Sequence, residues 1–113
     1  MVNYKYIDTL IESLKESNPC RIVLFGSYAN GTATNDSDID ILLILDNDDV
    51  AKTYEERLSK KLYINKLVRE INYKVALDIL VYSKEEYKIV KNYGNYLINE
   101  IEKNGKTIYE KAS

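Results

Sequence analysis

Residues 22–45 read Ile22-Val23-Leu24-Phe25-Gly26-Ser27-Tyr28-Ala29-Asn30-Gly31-Thr32-Ala33-Thr34-Asn35-Asp36-Ser37-Asp38-Ile39-Asp40-Ile41-Leu42-Leu43-Ile44-Leu45. Two aliphatic runs flank a polar stretch that opens on Gly26-Ser27 and closes on Ser37-Asp38-Ile39-Asp40. Short continuous apolar runs bounded by turn residues mark strands buried on both faces. Ile22–Phe25 is therefore expected as one strand and Ile39–Leu45 as a second, apolar on both faces except at Asp40. The small polar residues 28–37 predict a loop with at most one helical turn after the glycine.

Outward from this stretch the chain alternates helix and strand. Ile7, Leu10, Ile11 and Leu14 recur at helical spacing, so residues 3–17 are expected as an amphipathic helix that Asn18-Pro19 stops. Asp46-Asn47-Asp48-Asp49 predicts a turn able to cap the next helix. Val50, Tyr54, Leu58, Leu62, Leu67, Val68 and Ile71 mark that helix from about 50 to 71. Val75 to Tyr82 is the third strand, interrupted by Asp78, and Ser83-Lys84-Glu85-Glu86 is a capping box that opens a helix running to about 92. Gly94 breaks the pattern, Leu97, Ile98 and Ile101 give a last helix closed by Asn104-Gly105, and Thr107-Ile108-Tyr109 suits a short edge strand. The fold class is α/β, a small mixed sheet flanked by helices, with residues 1–113 as a single domain.

Composition narrows the function. The chain has 113 residues, enough for one core, with 45% apolar and 30% charged residues. A net charge of -2 excludes an overall basic field for nucleic acid or anionic lipid. There is no histidine, which excludes Ser–His–Asp and Cys–His catalysis and any His-based zinc site; Cys20 is the single cysteine, so no internal disulfide forms. The N-terminus lacks the apolar core of a signal peptide, and the run Ile41–Leu45 is too short to span a bilayer, so a cytoplasmic location and no membrane partner are expected.

Three carboxylates, Asp38, Asp40 and Asp78, fall in or at the mouth of strands expected to be buried. Residues two apart on a strand point the same way, about 6.5–7 Å apart, and a neighbouring strand lies about 4.8 Å away. Asp78 would thus complete a three-carboxylate cluster on one face. Like charges so placed repel and are costly to desolvate, so they call for protons or a cation. Hard oxygen donors without His or Cys suit Mg²⁺ or Mn²⁺. Taken singly, each feature has a plainer reading: an Asp-x-Asp turn, an ion-paired strand aspartate, a strand-ending Gly-Ser. No basic residue stands between Arg21 and Lys52, while Asp36, Asp38, Asp40, Asp46, Asp48 and Asp49 are acidic. Such a surface accepts a phosphate only with metal ions, assisted by backbone N–H groups after Gly26. A metal-bridged nucleoside triphosphate fits; bare nucleic acid does not.

Gly26-Ser27-Tyr28-Ala29-Asn30-Gly31 followed by Ser37-Asp38-Ile39-Asp40 resembles the signature of the DNA polymerase β-like nucleotidyltransferase superfamily. The short chain is similar to its minimal nucleotidyltransferase (MNT) branch, often the antitoxin partner of a HEPN-domain toxin. The resemblance implies that Gly26 and Ser27 hold the triphosphate of ATP and that Asp38 and Asp40 ligate two Mg²⁺ ions. Asp78 would match the third carboxylate, which binds one metal and helps to deprotonate the acceptor hydroxyl. The implied reaction is attack of a hydroxyl on the α-phosphate with loss of pyrophosphate, the acceptor being a tyrosine of the HEPN toxin. One departure stands out: the branch usually carries Arg before the second glycine, and here the residue is Asn30. The alternative is a non-catalytic antitoxin that neutralises its partner by occlusion; the presence of Asp78 favours the enzyme. So short a chain offers little wall for base and acceptor. A partner or a second copy of the chain is therefore expected against the helices near 50–71 and 84–104.

Overall fold

The computed structural model describes residues 4–112. Four strands, β1 (Pro19–Phe25), β2 (Ile39–Leu45), β3 (Leu77–Ser83) and β4 (Lys106–Glu110), form one mixed sheet in the order β3-β2-β1-β4. β1 runs antiparallel to β2 and to β4, whereas β2 and β3 are parallel. A parallel pair needs a crossover, and helices α3 (Tyr54–Leu67) and α4 (Arg69–Asn72) supply it. The remaining helices are α1 (Tyr6–Leu14), α2 (Ser27–Asn30), α5 (Lys84–Asn92) and α6 (Tyr96–Asn104). No helix among the described residues is long and apolar enough to cross a membrane.

The central strand β2 divides its side chains between two cores. Ile39, Ile41, Leu43 and Leu45 pack with Leu10 and Leu14 of α1, Ile64 of α3, Ile71 of α4 and Val68 at the junction of α3 and α4. Leu42 and Ile44 face the other way, onto Val23 and onto Tyr87, Ile98 and Ile101 of α5 and α6. This burial on both faces is why β2 is a continuous aliphatic run.

Several expected boundaries move. The first helix ends in a 3₁₀ turn at Lys15–Ser17, and Asn18 turns the chain with φ 57°. Its expected start at residue 3 lies outside the described residues. β1 begins three residues before Ile22, at Pro19, and a register shift between Pro19 and Arg21 lets it pair with Leu45 and Ile44. The long helix starts at Tyr54 because Thr53, and not the Asp46–Asp49 turn, accepts the Glu56 N–H at 3.1 Å. Its expected apolar stripe holds only at its C-terminal end: Leu67, Val68 and Ile71 pack on the core together with Ile64, whereas Val50, Tyr54, Leu58 and Leu62 are exposed. β3 begins at Leu77, two residues after Val75. The Ser83–Glu86 capping box forms as expected. Gly105 closes α6 in an extended conformation, φ -72°, without the left-handed turn. It is glycine for space: a Cβ there would lie 2.6 Å from the Ile101 carbonyl oxygen and 2.8 Å from Val23.

Candidate functional site

The site forms at the end of the sheet where β1 stops and β2 and β3 begin. Asp40 pairs in register with Asp78 across the parallel strands and with Phe25 across the antiparallel ones. Neighbouring strands lie about 4.8 Å apart and in-register residues share a face, so the two carboxylates stand side by side. By alternation they point to the face of Leu42 and Ile44. Asp38 precedes β2 by one residue.

The three carboxylates are less buried than the aliphatic runs around them suggest. Asp38 and Asp78 are exposed and Asp40 is half-buried. Among the described residues, none of the three forms an ion pair. Burial, then the charge of Asp78, then that of Asp38 push the Asp40 pKa up to about 6. Among the described residues no three acidic, cysteine or histidine side chains are already gathered as a closed metal-binding set. The arrangement is instead an open face of repelling carboxylates, a donor set whose charge a divalent cation would balance.

Gly26 lies directly behind Asp40. Its φ of 71° with ψ -150° is a conformation that only glycine adopts readily, and a Cβ there would collide with the Asp40 carboxylate Oδ2. Beyond it, the N–H groups of Ala29 and Asn30 donate to the Gly26 carbonyl oxygen at 3.0 and 3.1 Å, winding the short turn α2. Ser27 opens that turn, and among the described residues its hydroxyl makes no hydrogen bond. The glycine thus brings the backbone at Gly26-Ser27 against the carboxylate face, where a bulkier residue would hold the two apart.

Asn30 is spent on its own turn: its Oδ1 accepts from the Thr32 N–H at 3.2 Å and from the Thr32 hydroxyl at 2.6 Å. Sequence reasoning missed the brace beneath α2. The Tyr4 hydroxyl donates to the Tyr28 carbonyl oxygen at 3.0 Å, with the two rings edge to face at 4.9 Å. No spacing rule announces a contact between residues so far apart in sequence. The acidic run also splits in two. Asp46 sits at the far end of β2 and is neutralised by Lys111 at 2.7 Å and Lys84 at 2.9 Å, which hold its carboxyl down at about 2. Only the Asp36–Asp40 end belongs with the site.

Comparison with known proteins identifies the family and the fold. A family model described as a nucleotidyltransferase domain matches residues 7–106. Among solved structures, a Sulfolobus solfataricus protein described as a nucleotidyltransferase superimposes with a TM-score of 0.61 at 20% identity, covering 95% of this chain and 79% of that one. A toxin-antitoxin with AMP-PNP aligns with a TM-score of 0.57 at 21% identity, over 92% of this chain and 73% of the other. A mutant of the toxin-antitoxin MntA-HpeT gives 0.55 at 19% identity, with the same coverages of 92% and 73%. At these identities the likeness is one of fold. No curated protein sequence matches the chain.

Proposed function

Because the chain belongs to the nucleotidyltransferase domain family, we propose that it transfers AMP from ATP to a hydroxyl of a partner protein, a tyrosine of a HEPN-type toxin, and so acts as the antitoxin of that pair. The observation that carries this reading is the in-register pair Asp40–Asp78 beside the glycine-only backbone of Gly26. Asp38, Asp40 and Asp78 would hold Mg²⁺, and the absence of any paired cation among the described residues fits that donor set. When bound, two such ions stabilise the attacking and leaving oxygens of an in-line displacement.

The chain's own residues would do the rest. Gly26 would let the backbone approach the triphosphate, and the Ser27 hydroxyl would donate to a phosphate oxygen. Asp78, exposed at the rim, would orient the acceptor hydroxyl and take its proton as the new O–P bond forms and pyrophosphate leaves. Two solved structures of like fold are toxin-antitoxin structures, one of them with AMP-PNP, which supports both the partner class and the nucleotide. Lacking an arginine at position 30, this chain would rely on backbone groups and metal for the phosphate charge.

The test is label transfer. The protein, Mg²⁺ and the product of any neighbouring HEPN-like gene are incubated with ATP labelled at the α-phosphate or at the γ-phosphate. The reading expects label in the partner from α-labelled ATP only, and none with Asp38→Ala or Asp40→Ala. Label from the γ-position, or full transfer by either variant, would overturn it.

A further inference from the structure

We propose that the groove over the outer edge of β3 binds an extended segment of a partner protein in which acidic and apolar side chains alternate. Among the described residues β3 ends the sheet: β2 covers one of its edges and no strand covers the other. A cavity of about 320 Å³ lies along that open edge, floored by Ile79–Tyr82. On one side α3 contributes Arg57, Lys60 and Lys61; on the other α5 contributes Glu86, Ile89 and Val90. Glu86 is already engaged, with the Ala51 N–H at 2.9 Å and with Lys60 at 2.6 Å, a pair that bridges the two walls near the Ser83 end and leaves the groove open from there toward Asp78. Among the described residues neither Arg57 nor Lys61 forms an ion pair, so the α3 wall keeps two uncompensated cations. Apart from Glu86 the α5 wall is apolar, with Ile89 38% exposed.

This combination selects its occupant. An open strand edge presents backbone N–H and C=O groups, which an added strand satisfies and a helix does not. A strand laid there sends successive side chains to opposite walls. Acidic residues would meet Arg57 and Lys61, and apolar ones Ile89 and Val90. A nucleic acid would find the two cations but no use for the apolar wall or the strand edge. The groove is closed at the Ser83 end by residues 47–51, tied down where the Lys84 N–H donates to the Asn47 carbonyl oxygen at 3.0 Å and the Ser83 hydroxyl to that of Asp49. At its other end the same strand leads to Asp78. A segment leaving the groove there would pass the carboxylates; that it carries the acceptor hydroxyl rests on the function proposed above, whereas the docking itself does not.

The test is fluorescence anisotropy with a labelled octapeptide of alternating glutamate and valine, in chelator and without nucleotide, so that transfer plays no part. Saturable binding is expected, weakened at least tenfold in the double variant Arg57→Glu, Lys61→Glu, with an unchanged melting temperature showing that the variant folds. Methylating one alternate set of the peptide's backbone nitrogens should abolish binding, and methylating the other set should spare it. Absence of binding would overturn the proposal. So would equal affinity for a peptide of four glutamates followed by four valines, for both methylated peptides, or for the charge-reversed variant.

Discussion

Asp40 stands directly beside Asp78 across the parallel strands β2 and β3, and its carboxylate rests on the backbone of Gly26. Nothing cationic among the described residues offsets the two charges. A fold optimised for stability alone would not place them so, and the arrangement suits a cation brought with a ligand.

The first consequence is a pH dependence of unusual sign. Asp40 has its native pKa raised to about 6, against an ordinary value of 3.8. The native state therefore binds this proton more tightly than the unfolded chain. The stability this lends is fully present below the unfolded pKa and is lost as pH rises through the native one. In chelator, stability should fall between about pH 4 and pH 6 by about 1 kcal/mol, because solvent reaching the carboxylate screens part of the shift. Denaturant melts of wild type and Asp40→Asn isolate this group: the difference between them should open across that window, and a constant difference would contradict it.

Gly26→Ala should cost about 2–4 kcal/mol, since the new methyl group meets the Asp40 carboxylate in a backbone conformation reserved for glycine. Gly31 also has positive φ, 81°, but a Cβ there meets nothing within 4 Å. Gly31→Ala should therefore cost only about 1 kcal/mol. Equal losses in urea melts would show that Asp40 does not press on Gly26.

How far the sequence is legible depends on what surrounds each residue. Ile39–Leu45 was readable to its boundaries because both its faces are buried, so every position is apolar except the one that opens on the site. Alternation likewise places Asp40 and Asp78 on one face. Their depth was not readable, since it depends on which elements pack over that end of the sheet, and no local pattern states that. The stripe Tyr54, Leu58 and Leu62 misled because periodicity identifies an apolar face without saying whether that face meets the sheet. Pro19–Arg21 joins β1 only through a register shift that no local pattern announces.

The two faces of α3 should differ in what they contribute to stability. Ile64 is fully buried and Leu62 is 57% exposed. Ile64→Ala should lose about 3 kcal/mol, and Leu62→Ala no more than about 0.5 kcal/mol. Chemical denaturation of both variants checks it, and the opposite ranking would restore the expected stripe as core.

Asp78→Asn removes one of the facing charges from an exposed position. In chelator at neutral pH it should be more stable than wild type, by about 1 kcal/mol, and it should gain less from added Mg²⁺. Thermal melts with and without Mg²⁺ measure both effects. A variant less stable than wild type, with an unchanged Mg²⁺ shift, would leave the carboxylate pair without the role assigned to it.

If Asp38, Asp40 and Asp78 receive a nucleoside triphosphate through a divalent cation, that cation should govern nucleotide binding. Calorimetric titration with a non-hydrolysable ATP analogue addresses it most directly, with Mg²⁺ or chelator present, on wild type and on Asp40→Asn. The account predicts binding that requires Mg²⁺ and that weakens at least about tenfold, about 1.4 kcal/mol, in the variant. Binding of equal strength in chelator, or unchanged by Asp40→Asn, would contradict it.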